Sequence, residues 1–373
     1  MRVYIVDLEP VETRYTKQWK DLLPIMMEQA GINAYSVSGP AIPQIVTPGA
    51  FLNFAGTNSY KASQIQWISE LLQQPTNELC PKDGDYFLYT DAWNPTVIQL
   101  KYMIELLGLK IRVGGLWHAG SYDPQDFLGR LIGDKPWVRN AEASMFHCFD
   151  DNFFATRFHA NMFLKELMDV EVLFGEDELD EWITHPNDPK IHIVGWPMEY
   201  LPHILKPFEI IEKKDKIIFP HRLAPEKQLE IFRDLAEAMP EYEWFVAQEH
   251  RLSKEQYHTH LAESRIAFSA NLQETLGISM YEAALVGTYP LVPDRLSYSE
   301  MWEGGCLYPS AWTENWDSYQ QHKQEMISYI RKIMSTNSSL KDTAMLKAMK
   351  VGSRFFNGAE LYEAIKGSGN VGN

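Results

Sequence analysis

The sequence predicts an α/β protein made of two doubly wound domains, each a parallel sheet with helices on both sides, facing each other across a cleft. Three observations point there. Short β-like runs alternate with helix-period stretches along the chain, the pattern of parallel-sheet folds. A length of 373 residues is long for one core and comfortable for two domains of roughly 150 to 200 residues. Near the middle, WPMEYLPHILKPFEIIEKKDK (196–216) breaks the rhythm with three prolines and a charge cluster, and reads as a linker. Domains are expected at 1–200 and 201–352, with 353–373 a C-terminal helix and tail returning to the first domain.

Taken in order, the first half offers strands at RVYIVDL (2–8), DYFLYT (85–90), KIRVGGLW (110–117), SMFHCF (144–149), EVLFG (171–175) and IHIVG (191–195). Each is a short apolar run of strand length. Between them ASQIQWISELLQQ (62–74), VIQLKYMIELLG (97–108) and HANMFLKELM (159–168) carry the 3.6-residue period of helices. The second half repeats the pattern. Strands are expected at KIIFP (216–220), EWFVAQ (243–248), RIAFSA (265–270) and TYPLVP (288–293), and helices at 227–239, 254–264 and 279–287. Ligands of such sheets bind at the carboxyl ends of strands.

Composition sets limits. The hydrophobic and charged fractions, 45% and 23%, are ordinary globular values. No apolar run approaches the roughly 18 residues of a membrane span, and the N-terminus shows no basic, apolar leader, so a cytoplasmic protein is expected. Cys80, Cys148 and Cys306 stand far apart and outside metal-ligand spacing, which fits a reducing compartment. Residues 1–205 carry 15 Lys and Arg against 27 Asp and Glu, and residues 206–373 carry 19 against 23. That excess of acid disfavours non-specific nucleic-acid binding, although a local basic face is compatible with it. The densest acid, GEDELDEWITHPNDP (175–189), reads as a solvated face.

The most informative stretch is FSANLQETLGISMYEAALVGTYPLVP (268–293): an apolar run, a polar turn holding Gly277, then a helix start. The free amides of Leu276, Gly277 and Ile278, with the positive end of the helix dipole, make a site for a phosphate. Glu274 and Glu282 on either side suit sugar hydroxyls, since ionised carboxylates only accept hydrogen bonds. A ligand that joins a sugar to a phosphate fits. Upstream, Arg222 and Lys227 in FPHRLAPEKQ provide a fixed guanidinium fork and a mobile ammonium, a natural pair for two phosphates.

FPHRLAPEKQLEIFRDL followed by ETLGISMYEAALVGTYPLVPD resembles the C-terminal half of retaining GT-B glycosyltransferases, the glycogen synthase-like superfamily that includes glycosyltransferase family 4. The likeness is strongest over 216–300. It implies that Arg222 and Lys227 bind the donor diphosphate and that Glu274 binds donor sugar hydroxyls and stabilises charge at the anomeric carbon. Glu282 would hold the donor ribose, and Leu276, Gly277 and Ile278 would contribute amides. The base pocket would lie near Ala247, Gln248 and Asn271. Two departures stand out. DLEPVETRYTKQW (7–19) replaces the glycine pair that often follows the first strand, the nearest glycine being Gly56, and His221 replaces the glycine before the arginine.

In the first domain, His118 in GGLWHAGSYDP, with Asp123 nearby, and Asp91 in LYTDAWNP follow probable strands. The resemblance matches His118 to a histidine that touches the donor sugar; Asp91 suits binding or deprotonating an acceptor hydroxyl. Structural roles compete, a satisfied core histidine for His118 and an Asx turn before Pro95 for Asp91. The implied reaction is retaining transfer from a nucleoside diphosphate sugar, UDP-sugar first, with no cofactor and no metal ion.

TYPLVPDRLSYSEMW, with Asp294, Arg295, Tyr298 and Glu300, resembles a stretch of the tRNA-queuosine mannosyltransferase group. It suggests a hydroxylated nucleobase acceptor in tRNA or in bacteriophage DNA, which would place the enzyme in a host cytoplasm. Lys101, Lys110, Arg112, Arg130, Lys135 and Arg139 would line the nucleic acid, with Trp117 or Trp137 stacking on a base and Trp137 the better core candidate. Small glycoside, lipid and protein acceptors are alternatives. So are a nucleotide-sugar epimerase, a phosphorylase and a non-catalytic sensor with the same phosphate site.

Overall fold

The computed structural model describes residues 1–12, 14–43, 53–168, 190–336 and 339–367. The chain divides into two compact units, Met1–Pro197 with Gly358–Asn373, and Met198–Asn357. The first contains β1 (Arg2–Val6), α1 (Tyr15–Gln29), β2 (Asn33–Val37), α2 (Phe54–Leu72), β3 (Tyr86–Tyr89), α3 (Thr96–Leu106), β4 (Arg112–Trp117), α4 (Phe127–Ile132), α5 (Pro136–Cys148), β5 (Asp151–Phe154), α6 (Arg157–Met168) and β6 (Lys190–Ile193). Its six strands run parallel in the order β2-β1-β3-β4-β5-β6. Every residue of β3 is buried, as a parallel sheet covered on both faces requires. Trp117 anchors the core against Phe149, Phe154 and Phe163, at 4.6 Å centroid separation from the last.

The second unit contains α7 (Leu201–Leu205), β7 (Lys216–Phe219), α8 (Leu229–Ala238), β8 (Glu243–Val246), α9 (Lys254–Glu263), β9 (Ile266–Phe268), α10 (Ile278–Leu285), β10 (Tyr289–Pro293), α11 (Tyr298–Met301), β11 (Leu307–Tyr308), α12 (Trp316–Ser335) and α13 (Ser339–Phe355). Its parallel sheet has the order β11-β10-β9-β7-β8. The last helix, α14 (Ala359–Gly367), belongs to the first unit. Strand order reverses direction once in each sheet, between β1 and β3 and between β7 and β9, and a doubly wound sheet takes its ligands at such points.

The structure corrects one strand. SMFHCF lies in α5, whose buried Val138, Glu142, Met145 and Phe146 follow helical spacing. The sheet instead takes DNFF as β5, and β2 and β11 are further strands absent from the expected set. The segment 196–216 holds the short helix α7. EVLFG and the acidic run 175–189 lie outside the described residues. Among those described, no helix is long and apolar enough to cross a membrane.

Candidate functional site

In the second unit the loops leaving β7 and β9 meet at the order reversal. The β7 loop carries Arg222 and Lys227, and the β9 loop carries Glu274, Leu276 and Gly277. The amide of Leu272 donates to Glu226 O at 2.8 Å and so holds one loop on the other. The Lys227 ammonium donates to Gln273 O at 2.5 Å and stands 3.5 Å from Glu274 Oε2. Burial, and then the Arg222 charge, lower the Lys227 pKa from its ordinary value, while Glu274 works in the opposite direction.

Arg222 is oriented by a residue that sequence reasoning passed over. Glu226 Oε1 accepts from Arg222 Nε at 3.0 Å and from Nη2 at 2.5 Å, and the carboxylate is fully buried while the guanidinium is 31% exposed. Burial pushes the Glu226 carboxyl up, but Arg222 outweighs it and holds the group below its usual range. The spacing of four residues was the available signal. His221, buried against Phe219, is held well below the ordinary histidine value by burial and then by the charges of Lys227 and Arg222. It is therefore neutral, and its Nε2 has no hydrogen-bond partner among the described residues.

Gly277 precedes α10 at φ +86°, a left-handed conformation that glycine accepts without steric cost. A Cβ there would also lie 2.7 Å from the Tyr298 ring. Glu274 Oε1 accepts from Gly277 N at 3.0 Å and from Leu276 N at 3.5 Å. Asn271 Nδ2 donates to Glu274 Oε2 at 3.3 Å and to Tyr298 Oη at 3.1 Å. The carboxylate thus occupies amides expected to receive phosphate. Ile278 opens the helix, and Glu282 turns away to α9, with His258 Nε2 at 3.6 Å and the Tyr257 hydroxyl at 3.4 Å. Burial raises the Glu282 pKa, yet His258, Lys254 and Tyr257 together leave it below the ordinary value. Of the proposed base-pocket residues, Asn271 and Ala247 are buried and Gln248 is exposed.

Two side chains staple this platform from beneath. Arg295 donates to Asn271 O, Ala270 O, Ser310 O and Thr313 O, and Gln228, itself at φ 52°, donates to Ala270 O and Thr313 O. Arg295 is therefore a structural clamp. Tyr298 is fully buried against Asn271 and Gly277, and Asp294 Oδ1 accepts from Ser299 Oγ at 2.8 Å.

In the first unit a second polar cluster forms at the β1–β3 reversal. Thr57, Tyr60, Lys61 and Gln64, a helical stripe on α2 that sequence reasoning missed, reach the loop residues Asp7, Glu9 and Asp91. Asp91 Oδ1 accepts from Trp93 N at 3.1 Å in an Asx turn, and Oδ2 lies 3.3 Å from Lys61 Nζ. His118 is held by the Tyr15 hydroxyl at 2.7 Å on Nδ1 and by Thr90 O at 2.5 Å on Nε2, with Trp196 at 4.3 Å. Burial lowers its pKa. Asp123 Oδ1 accepts from Gln125 N in a turn, and Gly56 sits in the first turn of α2, where its amide donates to the Asn53 cap. Among the described residues no His, Cys, Asp and Glu side chains gather in a group that could hold a metal ion.

No family model matches the chain, and no curated protein matches its sequence. Solved structures do. The UDP-forming α,α-trehalose-phosphate synthase of Burkholderia vietnamiensis is similar over 100% of both chains, with TM-score 0.60 and 9% identity. WaaG, a glycosyltransferase involved in lipopolysaccharide biosynthesis, is similar over 98% of this chain and 100% of its own, with TM-score 0.56 and 13% identity. The fold is GT-B. The pneumococcal O-GlcNAc transferase GtfA, solved with UDP and GlcNAc, shares it at TM-score 0.50 and 14% identity over 83% of this chain; this chain spans 59% of that protein. The cluster around Lys227 and Glu274 lies at the reversal point of the C-terminal sheet, and that around Glu9 and Asp91 at that of the N-terminal sheet.

Proposed function

We propose that the chain is a retaining, metal-independent glycosyltransferase that moves a sugar from a nucleoside diphosphate sugar, UDP-sugar first, to an acceptor hydroxyl. One observation carries this reading: Lys227 and the amides of Leu276 and Gly277 converge on Glu274 at the carboxyl ends of β7 and β9, with Arg222 near enough to Lys227 for its charge to act on that ammonium. Two cations and a helix start are what a leaving diphosphate needs, and that charge stabilisation is the main demand of the reaction. In the proposed step the acceptor oxygen bonds to the anomeric carbon as the bond from that carbon to the diphosphate oxygen breaks. The acceptor proton passes to the leaving phosphate oxygen, so no protein nucleophile is needed. Glu274, released from its amides by the phosphate, holds sugar hydroxyls and faces the positive charge at the anomeric carbon.

A modified nucleobase as acceptor loses two of its carriers. Trp117 is fully buried and donates to Asn152, and Arg295 is spent on backbone carbonyls. Trp137, expected in the core, is 61% exposed beside Lys135 and Arg139 at the start of α5, and it is the surface feature left to that reading. The transferase reading is tested by nucleotide release from UDP-, GDP- and ADP-sugars. Slow release from one donor, lost in Glu274→Ala and Arg222→Ala, is expected; absence of release from all of them would favour a sensor.

A further inference from the structure

The loop that replaces the usual glycines after β1 places a carboxylate in an unusual position. Glu9 is 4% exposed. Its Oε1 accepts from the Thr57 hydroxyl at 2.5 Å, in the first turn of α2, where a negative charge is favoured by the helix dipole. Its Oε2 is buried and has no hydrogen-bond partner among the described residues. A buried carboxylate oxygen in that state costs free energy unless something supplies a donor.

The neighbouring groups do not supply it. Asp7 takes Tyr60 at 2.7 Å, Gln64 at 3.0 Å and the Ser38 hydroxyl, and so ties β1 to β2 and α2. Lys61 gives its ammonium to Trp93 O at 2.6 Å and to Asp91. Tyr15 gives its hydroxyl to His118; burial pushes its phenol up, the Arg14 charge opposes that, and the charges of Asp91 and Glu9 add to it. Glu9 Oε2 is thus an acceptor at the reversal point of the N-terminal sheet, the place where doubly wound sheets take their ligands.

Resting on the glycosyltransferase reading, we propose that Glu9 binds the acceptor, and that the acceptor is a neutral polyhydroxylated molecule, a free sugar or glycoside. Its hydroxyl donates to Oε2, while Thr57 fixes the other oxygen. A carboxylate accepts and never donates, so the ligand brings the proton. Asp7 and Asp91 each have a lysine, Lys20 at 3.9 Å and Lys61 at 3.3 Å, whereas among the described residues no cation pairs with Glu9, so its own charge disfavours a phosphate and sugar phosphates and nucleic acid fit this subsite poorly.

The test measures nucleotide release by the full chain, from whichever UDP-, GDP- or ADP-hexose it hydrolyses, with added acceptors. The acceptors are methyl glucosides, maltose, glucose 6-phosphate, tRNA and hydroxymethylated DNA. A neutral sugar is expected to accelerate release and the phosphorylated ones to have little effect. Glu9→Gln should raise the KM of that sugar about 10- to 100-fold, the scale of one charge-assisted hydrogen bond, with a smaller change in kcat. Thr57→Val should raise it less, about threefold to tenfold, because the oxygen is only loosened. Thermal melting of both variants reports on folding. Acceleration by tRNA, DNA or sugar phosphate in place of neutral sugars would overturn the proposal. So would an unchanged KM in a folded Glu9→Gln variant, which would mean that Oε2 merely holds a structural water. Donor hydrolysis that no neutral sugar accelerates overturns the acceptor class alone, whereas no hydrolysis of any donor removes the transferase reading beneath it.

Discussion

The Lys227 ammonium stands 3.5 Å from Glu274 Oε2, while the opposite oxygen of that carboxylate accepts the Gly277 amide at 3.0 Å. A single side chain thus holds the lysine and the helix-start amide that the diphosphate is proposed to take. The neutral amide in Glu274→Gln should hold both less tightly. UDP is therefore expected to bind about twofold to fivefold tighter to this variant, the scale of a helix-terminus charge interaction, while sugar transfer falls by about 100-fold. Calorimetric titration with UDP beside a turnover assay checks the pair of effects; weaker UDP binding would show that Glu274 supports the phosphate site.

Arg222 has a structural role through Glu226 as well as its proposed binding role, and the two are separable. Arg222→Ala leaves a buried carboxylate without its cation and should cost about 3 kcal/mol of stability. Adding Glu226→Gln should restore most of the melting temperature and none of the UDP affinity. Recovery of affinity in the double variant would assign Arg222 to scaffolding alone.

Gly277→Ala meets two obstacles, a positive φ and a Cβ 2.7 Å from the Tyr298 ring. The backbone term alone is about 1 to 2 kcal/mol. Denaturant melts should show that loss, and UDP affinity should fall because the amides of Leu276 and Gly277 move. Tyr298→Ala in the same chain relieves the contact but leaves the φ cost and opens a cavity at a fully buried ring, so it should lower the stability further.

The cluster around Lys227 and Glu274 was legible because its residues are local in sequence: Arg222 and Lys227 share one loop, and Glu274 to Ile278 share one turn. Glu226 was missed because it pairs with Arg222, four residues earlier, inside a motif read only for its cations. The cluster on the N-terminal sheet was hidden for a different reason. Thr57, Tyr60, Lys61 and Gln64 reach the separate strand ends of β1 and β3, and only the sheet order brings Asp7, Glu9 and Asp91 under one helix. SMFHCF misled because a run of six residues, four of them apolar, carries too little period to separate strand from helix. Trp117 and Trp137 exchanged places, the first in the core and the second on the surface, since neither composition nor neighbours reveal which face of an element a lone tryptophan takes.

Asp151 gives the fold a pH signature. Burial raises its pKa, but the His192 hydrogen bond, the Arg112 charge and the Tyr86 hydroxyl outweigh burial and leave the carboxyl below its ordinary value. A carboxylate depressed in the folded state contributes stability that is complete above the unfolded value near pH ~4 and is lost as pH falls through the folded value. Asp151→Asn should lower stability by about 3 kcal/mol at pH 7, and the gap from wild type should narrow below pH ~4. A pH-independent gap would contradict the ion-pair account.

The most direct measurement is the affinity of the wild type for UDP, UMP and uridine, repeated on the Arg222→Ala/Glu226→Gln chain. The account predicts UDP tighter than uridine by about tenfold or more, from charge-assisted hydrogen bonds to the diphosphate, with that preference collapsing in the double variant. Equal affinity for UDP and uridine, or a preference that survives the loss of Arg222, would contradict a diphosphate site between the β7 and β9 loops.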